Sequence, residues 1–156
     1  MRTVDSNLFE TIEKLTVLHE AGAHPTEIVG LADTGDYLIV KQPMAAPHGP
    51  DLSADRQAAV QAMKALPVRG GIRGSDLRVF WLDGKIWLLG DLHRGNIMRD
   101  ADGQPTVIDA LIGHVLPTAL GNLPALSKTV REAQEMREGL RLAPSRLFED
   151  VNDDEL

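Results

Sequence analysis

The chain has 156 residues, with 16 lysines and arginines against 23 aspartates and glutamates and a formal net charge of −7. That balance argues against nonspecific nucleic-acid binding and against a polybasic membrane surface, both of which need Lys and Arg facing phosphate. The absence of cysteine excludes a disulfide framework, a cysteine-ligated zinc or iron–sulfur site and a thiol nucleophile.

Hydrophobic residues make up 43 % and charged residues 25 %, the proportions of a folded domain. The length suits a single domain over 1–156. Aromatics are only 4 %, so the core is aliphatic and a base-stacking surface is disfavoured. The start, MRTVDSNLFETIEK, lacks an apolar signal segment. No stretch reaches the roughly 18 apolar residues of a membrane helix. The DDEL ending reads as part of an acidic tail over 149–156. A cytoplasmic protein is expected.

Leu8, Ile12, Leu15 and Leu18 recur at helical spacing and predict a helix over 7–20, capped by Asp5 or Ser6 and ended by Gly22. Two β-rich runs, 26–31 and 37–41, flank the turn residues Ala32-Asp33-Thr34-Gly35 and predict a hairpin. Prolines 43, 47 and 50 interrupt regular structure and predict a linker. Ser53 opens a second helix over 54–66, closed by Pro67. The glycine-rich stretch 69–75 lacks the GxxxxGK[ST] pattern and follows no strand, so it reads as a plain loop. Strands 77–82 and 85–89 surround Asp83-Gly84, a two-residue hairpin signal. A further hairpin joins 96–99 to 106–109 through Asp100-Ala101-Asp102-Gly103. The rest reads as loop, then a helix from Ser127 to about Arg141 and a short turn after Pro144.

One segment concentrates polar groups at the ends of apolar strands. Asp91 follows a strand, Asn96 opens the next, and Asp109 ends its partner thirteen residues later. A hairpin between them brings Asn96 and Asp109 to one end. Two oxygen-bearing side chains there suit a hard cation such as Mg2+, which takes its other ligands from phosphate and water. Asp91, one loop away, is then a base or a positioning group. The plain structural alternative is that all three serve turns and strand ends, where Asp and Asn are common.

The run Asp91-Leu92-His93-Arg94-Gly95-Asn96 with the later Ile108-Asp109 resembles the catalytic and metal-binding loops of the protein-kinase-like superfamily. The form is that of aminoglycoside and choline phosphotransferases. The compact kinase-like domain of polyvalent proteins from phages and mobile elements is a similar arrangement. The resemblance implies phosphoryl transfer from ATP to a hydroxyl acceptor, a protein or a small molecule. Asp91 is then the catalytic base, with His93 in the same loop, and Asn96 and Asp109 hold Mg2+ on the phosphates. Upstream, the first helix is similar to helix αC and the 26–41 hairpin to strands β4 and β5. Residues 42–50 resemble the hinge, which puts Lys41, Gln42 and Met44 near the adenine.

The implied fold is α+β, a partial kinase-like fold. It has a reduced small lobe over 7–42, a linker over 43–52, and a reduced large lobe over 53–148 whose two hairpins carry the catalytic and metal loops. The sequence departs from the pattern. No glycine-rich strand–turn–strand precedes the first helix, GLADTG before Lys41 is not GxGxxG, and Ala110-Leu111 stands where Phe-Gly follows the metal-binding Asp. A partner chain or second copy completing the small lobe is therefore expected, or else a non-catalytic remnant used for binding or regulation. A second enzyme class fits in part: Gly90-Asp91-Leu92-His93 is similar to the first motif of metallophosphoesterases, but no Asn-His pair follows.

Overall fold

The computed structural model describes residues 7–35, 37–68, 76–121 and 123–139. In chain order the elements are helix α1 (Leu8–Ala21), strands β1 (Glu27–Leu31), β2 (Leu38–Lys41) and β3 (Ala46–Pro47), helix α2 (Leu52–Ala62), and strands β4 (Leu66–Pro67), β5 (Arg78–Leu82) and β6 (Lys85–Gly90). A single 3-10 turn (Arg94–Asn96) follows, then β7 (Ile97–Arg99), β8 (Pro105–Val107), β9 (Leu111–Val115), α3 (Pro117–Leu120) and α4 (Pro124–Glu138). The strands form three antiparallel sheets, ordered β1-β2, β3-β7-β8 and β4-β5-β6-β9. The architecture is thus α+β. No helix among the described residues is long and apolar enough to cross a membrane.

The four-stranded sheet divides the core. Its central hairpin turns at Asp83 and Gly84, both at positive φ (50° and 73°), the pairing that matches strand twist. Cross-strand partners share a face. Phe80 faces Trp87 in the register, whereas Trp81 faces Ile86, so the two tryptophans fall on opposite faces. Phe80, Leu82, Trp87 and Leu89 join the larger cluster, with Val17, Leu18 and Ala21 of α1, Ala59, Val60 and Met63, and Leu92, Ile97 and Val107. Val79, Ile86 and Val115 pack on the other face against Leu126, Val130 and Ala133 of α4.

Several boundaries differ from the sequence expectation, each for a local reason. The cap of α1 is Asn7, whose side chain accepts from the Glu10 N–H at 2.9 Å while Glu10 reaches back to the Asn7 N–H. This reciprocal box outcompetes Asp5 and Ser6. The buried stripe of α1 is Val17, Leu18 and Ala21, and Leu8 is exposed. Gly22 ends the helix at φ 98°. A Cβ there would also stand 3.3 Å from the Ala62 carbonyl oxygen, so the ends of α1 and α2 meet only through glycine. Helix α2 is capped by Asp51 instead of Ser53. It ends before the predicted 66 because Lys64 turns left-handed at φ 53° and the Ala65 N–H bonds back to Val60. Leu66 and Pro67 then pair with β5, and the supposed linker contributes β3. Strand β9, which was read as loop, adds to β6. Helix α4 starts at Pro124, where a missing N–H costs nothing, and the Ser127 hydroxyl donates to Leu120. The 69–75 loop, the turn after Pro144 and the acidic tail lie outside the described residues.

One ion pair fixes α2 against β7. Asp55, 4 % exposed, receives Arg99 Nε at 2.9 Å and Nη2 at 2.7 Å, and the Gly49 N–H at 2.6 Å. The Arg99 hydrogen bond first, then that from Gly49, holds the Asp55 carboxyl down at about 2. Its folded value lies below the unfolded one, so its contribution is complete above the unfolded value and is lost as pH falls through the folded one.

Two measurements check these assignments. Lys64→Gly relieves the left-handed strain and raises unfolding free energy by about 0.5–1 kcal/mol in urea titration. Asp55→Asn destabilises the chain at neutral pH. The gap between variant and parent stays constant above about pH 4 and narrows between about pH 4 and pH 2.

Candidate active site

The site is built by two consecutive turns stapled together. At the end of β6, Asp91 adopts φ 58°, a left-handed conformation that Asp tolerates better than most residues. It turns the chain so that Leu92, 1 % exposed, plugs the core. His93 then caps the 3-10 turn. Its Nδ1 accepts the Gly95 N–H at 2.9 Å, and its carbonyl accepts from Asn96. A Cβ on Gly95 would stand 2.9 Å from His93 Cε1, so only glycine lets the imidazole lie over this backbone. Because Nδ1 is an acceptor, the neutral ring carries its proton on Nε2. That atom lies 3.7 Å from Asp91 Oδ1.

Asn96 is 6 % exposed. Its Nδ2 donates to the Asp91 carbonyl at 2.8 Å and lies 3.5 Å from both Asp91 Oδ2 and the Asp109 carbonyl. These acceptors fix the amide orientation and leave Oδ1 as the atom able to ligate a cation. The β7–β8 hairpin, turned by Asp100, whose Oδ1 accepts the Asp102 and Gln104 N–H groups, returns the chain. Ile108 then donates to the Asn96 carbonyl at 2.9 Å. Asp109 follows at φ 45° with its side chain 85 % exposed. Asp91 and Asp109 are thus two of the four left-handed non-glycine residues among those described. Such residues persist where surrounding structure over-determines them.

The sequence-predicted residues therefore divide. Asp91, His93, Asn96 and Asp109 are brought together. Lys41 sits at the end of β2 opposite Glu27, Gln42 Nε2 donates to Thr26 Oγ1 at 2.7 Å, and Met44 is 91 % exposed. None of these three shares a hydrogen bond or ion pair with Asp91, His93, Asn96 or Asp109.

Two contributors had not been singled out. His24, buried, donates through Nε2 to the Pro43 carbonyl at 2.9 Å and through its backbone to Val107, tying the hinge-like segment to β8. Lys14 of α1 places Nζ 3.8 Å from Asp109 Oδ1. Its signal was present. It stands three and four residues before Val17 and Leu18, in line with the buried stripe, where a charge needs a reason.

Comparison with known protein families, curated proteins and solved structures finds no match.

The staple has a measurable weight. Asn96→Ala leaves the Asp91 carbonyl without this donor and costs about 0.5–1.5 kcal/mol in chemical denaturation. Asp109→Asn keeps the left-handed turn and stays within about 0.5 kcal/mol of the parent.

Proposed function

We propose that the chain is a protein-kinase-like phosphotransferase unit that transfers the γ-phosphoryl group of ATP to a hydroxyl. The observation that carries this reading is the single carboxamide of Asn96, which bonds the Asp91 carbonyl and approaches that of Asp109. It ties the Asp91 turn to the Asp109 turn through their main-chain carbonyls, and in this reading the two carboxylates serve as base and metal ligand. The donor set fits Mg2+ accompanied by nucleotide: an amide oxygen and an exposed carboxylate, with no group of three or more His, Asp or Glu among the described residues able to enclose a metal alone. Asn96 and Asp109 would hold the ion, which when bound neutralises phosphate charge. Asp91 accepts the proton of the acceptor hydroxyl. His93, through Nε2, orients the Asp91 carboxylate. The segment with Lys41, Gln42 and Met44 lies where adenine binds in this reading. The same lack of a larger ligand group gives the metallophosphoesterase reading no support.

The reading also includes a partner chain or second copy. Sheet β1-β2 has only two strands, and Val29, Leu31, Ile39 and Val40 on it are exposed. A two-stranded sheet gains stability from added strands. A cytoplasmic location, where Mg2+ and ATP are abundant, belongs with it.

The test is a thermal-shift titration with ATP and Mg2+. We expect a rise in unfolding temperature that needs the metal and disappears in Asp109→Ala; no metal-dependent rise sinks the reading. Asp91→Asn keeps the rise, while phosphoryl transfer to a hydroxyl acceptor falls by about 10²–10⁴. Binding in the parent without any transfer assigns the chain instead to a non-catalytic nucleotide-binding role.

A further inference from the structure

We infer that Lys14 is the phosphate-binding cation of this site, delivered from helix α1 and gripping the polyphosphate chain of the nucleotide. The inference rests on the phosphotransferase reading and adds to it the group that the sequence pattern leaves out. Four observations support it. Lys14 Nζ lies 3.8 Å from Asp109 Oδ1, so its charge is already at the carboxylate that faces the phosphates. The Lys14 side chain is 28 % exposed and that of Asp109 is 85 % exposed, so the pair is open to solvent chiefly at Asp109. The acidic neighbours of Lys14 on its own helix are engaged elsewhere: Glu10 closes the capping box on Asn7, and Glu13 pairs with Lys85 at 3.3 Å. Finally, α1 is anchored by Val17, Leu18 and Ala21 in the cluster that also holds Leu92, Ile97 and Ala110. Helix α1 and the loops therefore share one apolar cluster, which sets Lys14 beside Asp109 before any ligand binds.

The chemistry follows from charge. In the free protein Lys14 and Asp109 satisfy one another. A triphosphate arriving with Mg2+ offers Lys14 non-bridging oxygens of higher charge, and Asp109 turns to the metal. The ammonium then offsets phosphate charge in a chain whose net charge of −7 otherwise repels the nucleotide.

The experiment measures binding of ATP, ADP and adenosine to the full chain, with Mg2+ and in EDTA, by calorimetry. The proteins are the parent, Lys14→Met, Lys14→Arg and Asp109→Ala. Lys14→Met is expected to weaken ATP and ADP by about ten- to a hundredfold, to leave adenosine unchanged, and to do so also in EDTA. Lys14→Arg retains most of the affinity, and Asp109→Ala weakens ATP only when Mg2+ is present. Equal ATP affinity in parent and Lys14→Met overturns the inference while leaving the phosphotransferase reading intact. So does loss of adenosine and ATP in parallel, the mark of a purely structural pair; Lys14→Gln, read with its thermal midpoint, repeats the comparison if the Met variant folds poorly. No ATP binding by the parent, with or without Mg2+, overturns both.

Discussion

The geometry of the loop region depends on one buried amide. Asn96 donates from Nδ2 to the Asp91 carbonyl, while its own carbonyl receives the Ile108 N–H. One residue therefore spans the turn that follows β6 and the turn that follows β8. It adds a second tie to the β6–β9 pairing, whose last register pair, Gly90 and Leu111, already brings Asp91 and Asp109 to one end of the sheet. With it, two left-handed aspartates are held against the backbone preference of an L-residue. A buried donor is also a steep constraint, because moving either turn leaves the Asn96 amide without its acceptor.

Among the described residues of this acidic chain, several basic side chains are engaged by the fold. Arg99 is clamped on Asp55. Arg137 of α4 crosses to the main chain, donating to the Trp81 carbonyl at 3.1 Å and the Met63 carbonyl at 2.6 Å, and burial pushes its pKa down. Arg94 Nε donates to His48 at 3.0 Å, bracing the 3-10 turn against the segment after β3. Lys14 differs in that its partner is itself a residue of the candidate site. That difference gives a lone ion pair with an exposed carboxylate a meaning it would not have elsewhere, since such pairs contribute little to stability.

What the sequence made legible was chiefly what local chemistry decides. Asp83-Gly84 and Asp100–Gly103 announce their turns because few residues accept those backbone angles, and both hairpins form within a residue or two of expectation. The cluster Asp91, His93, Asn96 and Asp109 was readable because its spacing is set by one hairpin. What escaped depends on distant pairing. Strand β9, with a glycine at 113 and exposed positions, carries no strand pattern of its own and exists because β6 offers an edge. The two-residue strands β3 and β4 contain prolines that only an edge position permits. Lys14 escapes because the periodic stripe of the sequence runs through Leu8, Ile12, Leu15 and Leu18, whereas the stripe that is buried, Val17, Leu18 and Ala21, is the one in line with Lys14.

The division of the central sheet into two faces has an optical consequence. Trp87 lies in the cluster that carries the loops, with the His114 ring centroid 5.5 Å from its own. Trp81 packs on the opposite side with α4. Intrinsic emission from this chain is therefore a sum of two local signals, one from each half of the interior. Replacing Trp81 by phenylalanine would leave a single tryptophan, selectively excited at long wavelength away from Tyr37, placed on the half where α1, α2 and the two turns meet and sensitive to their loosening without any attached dye.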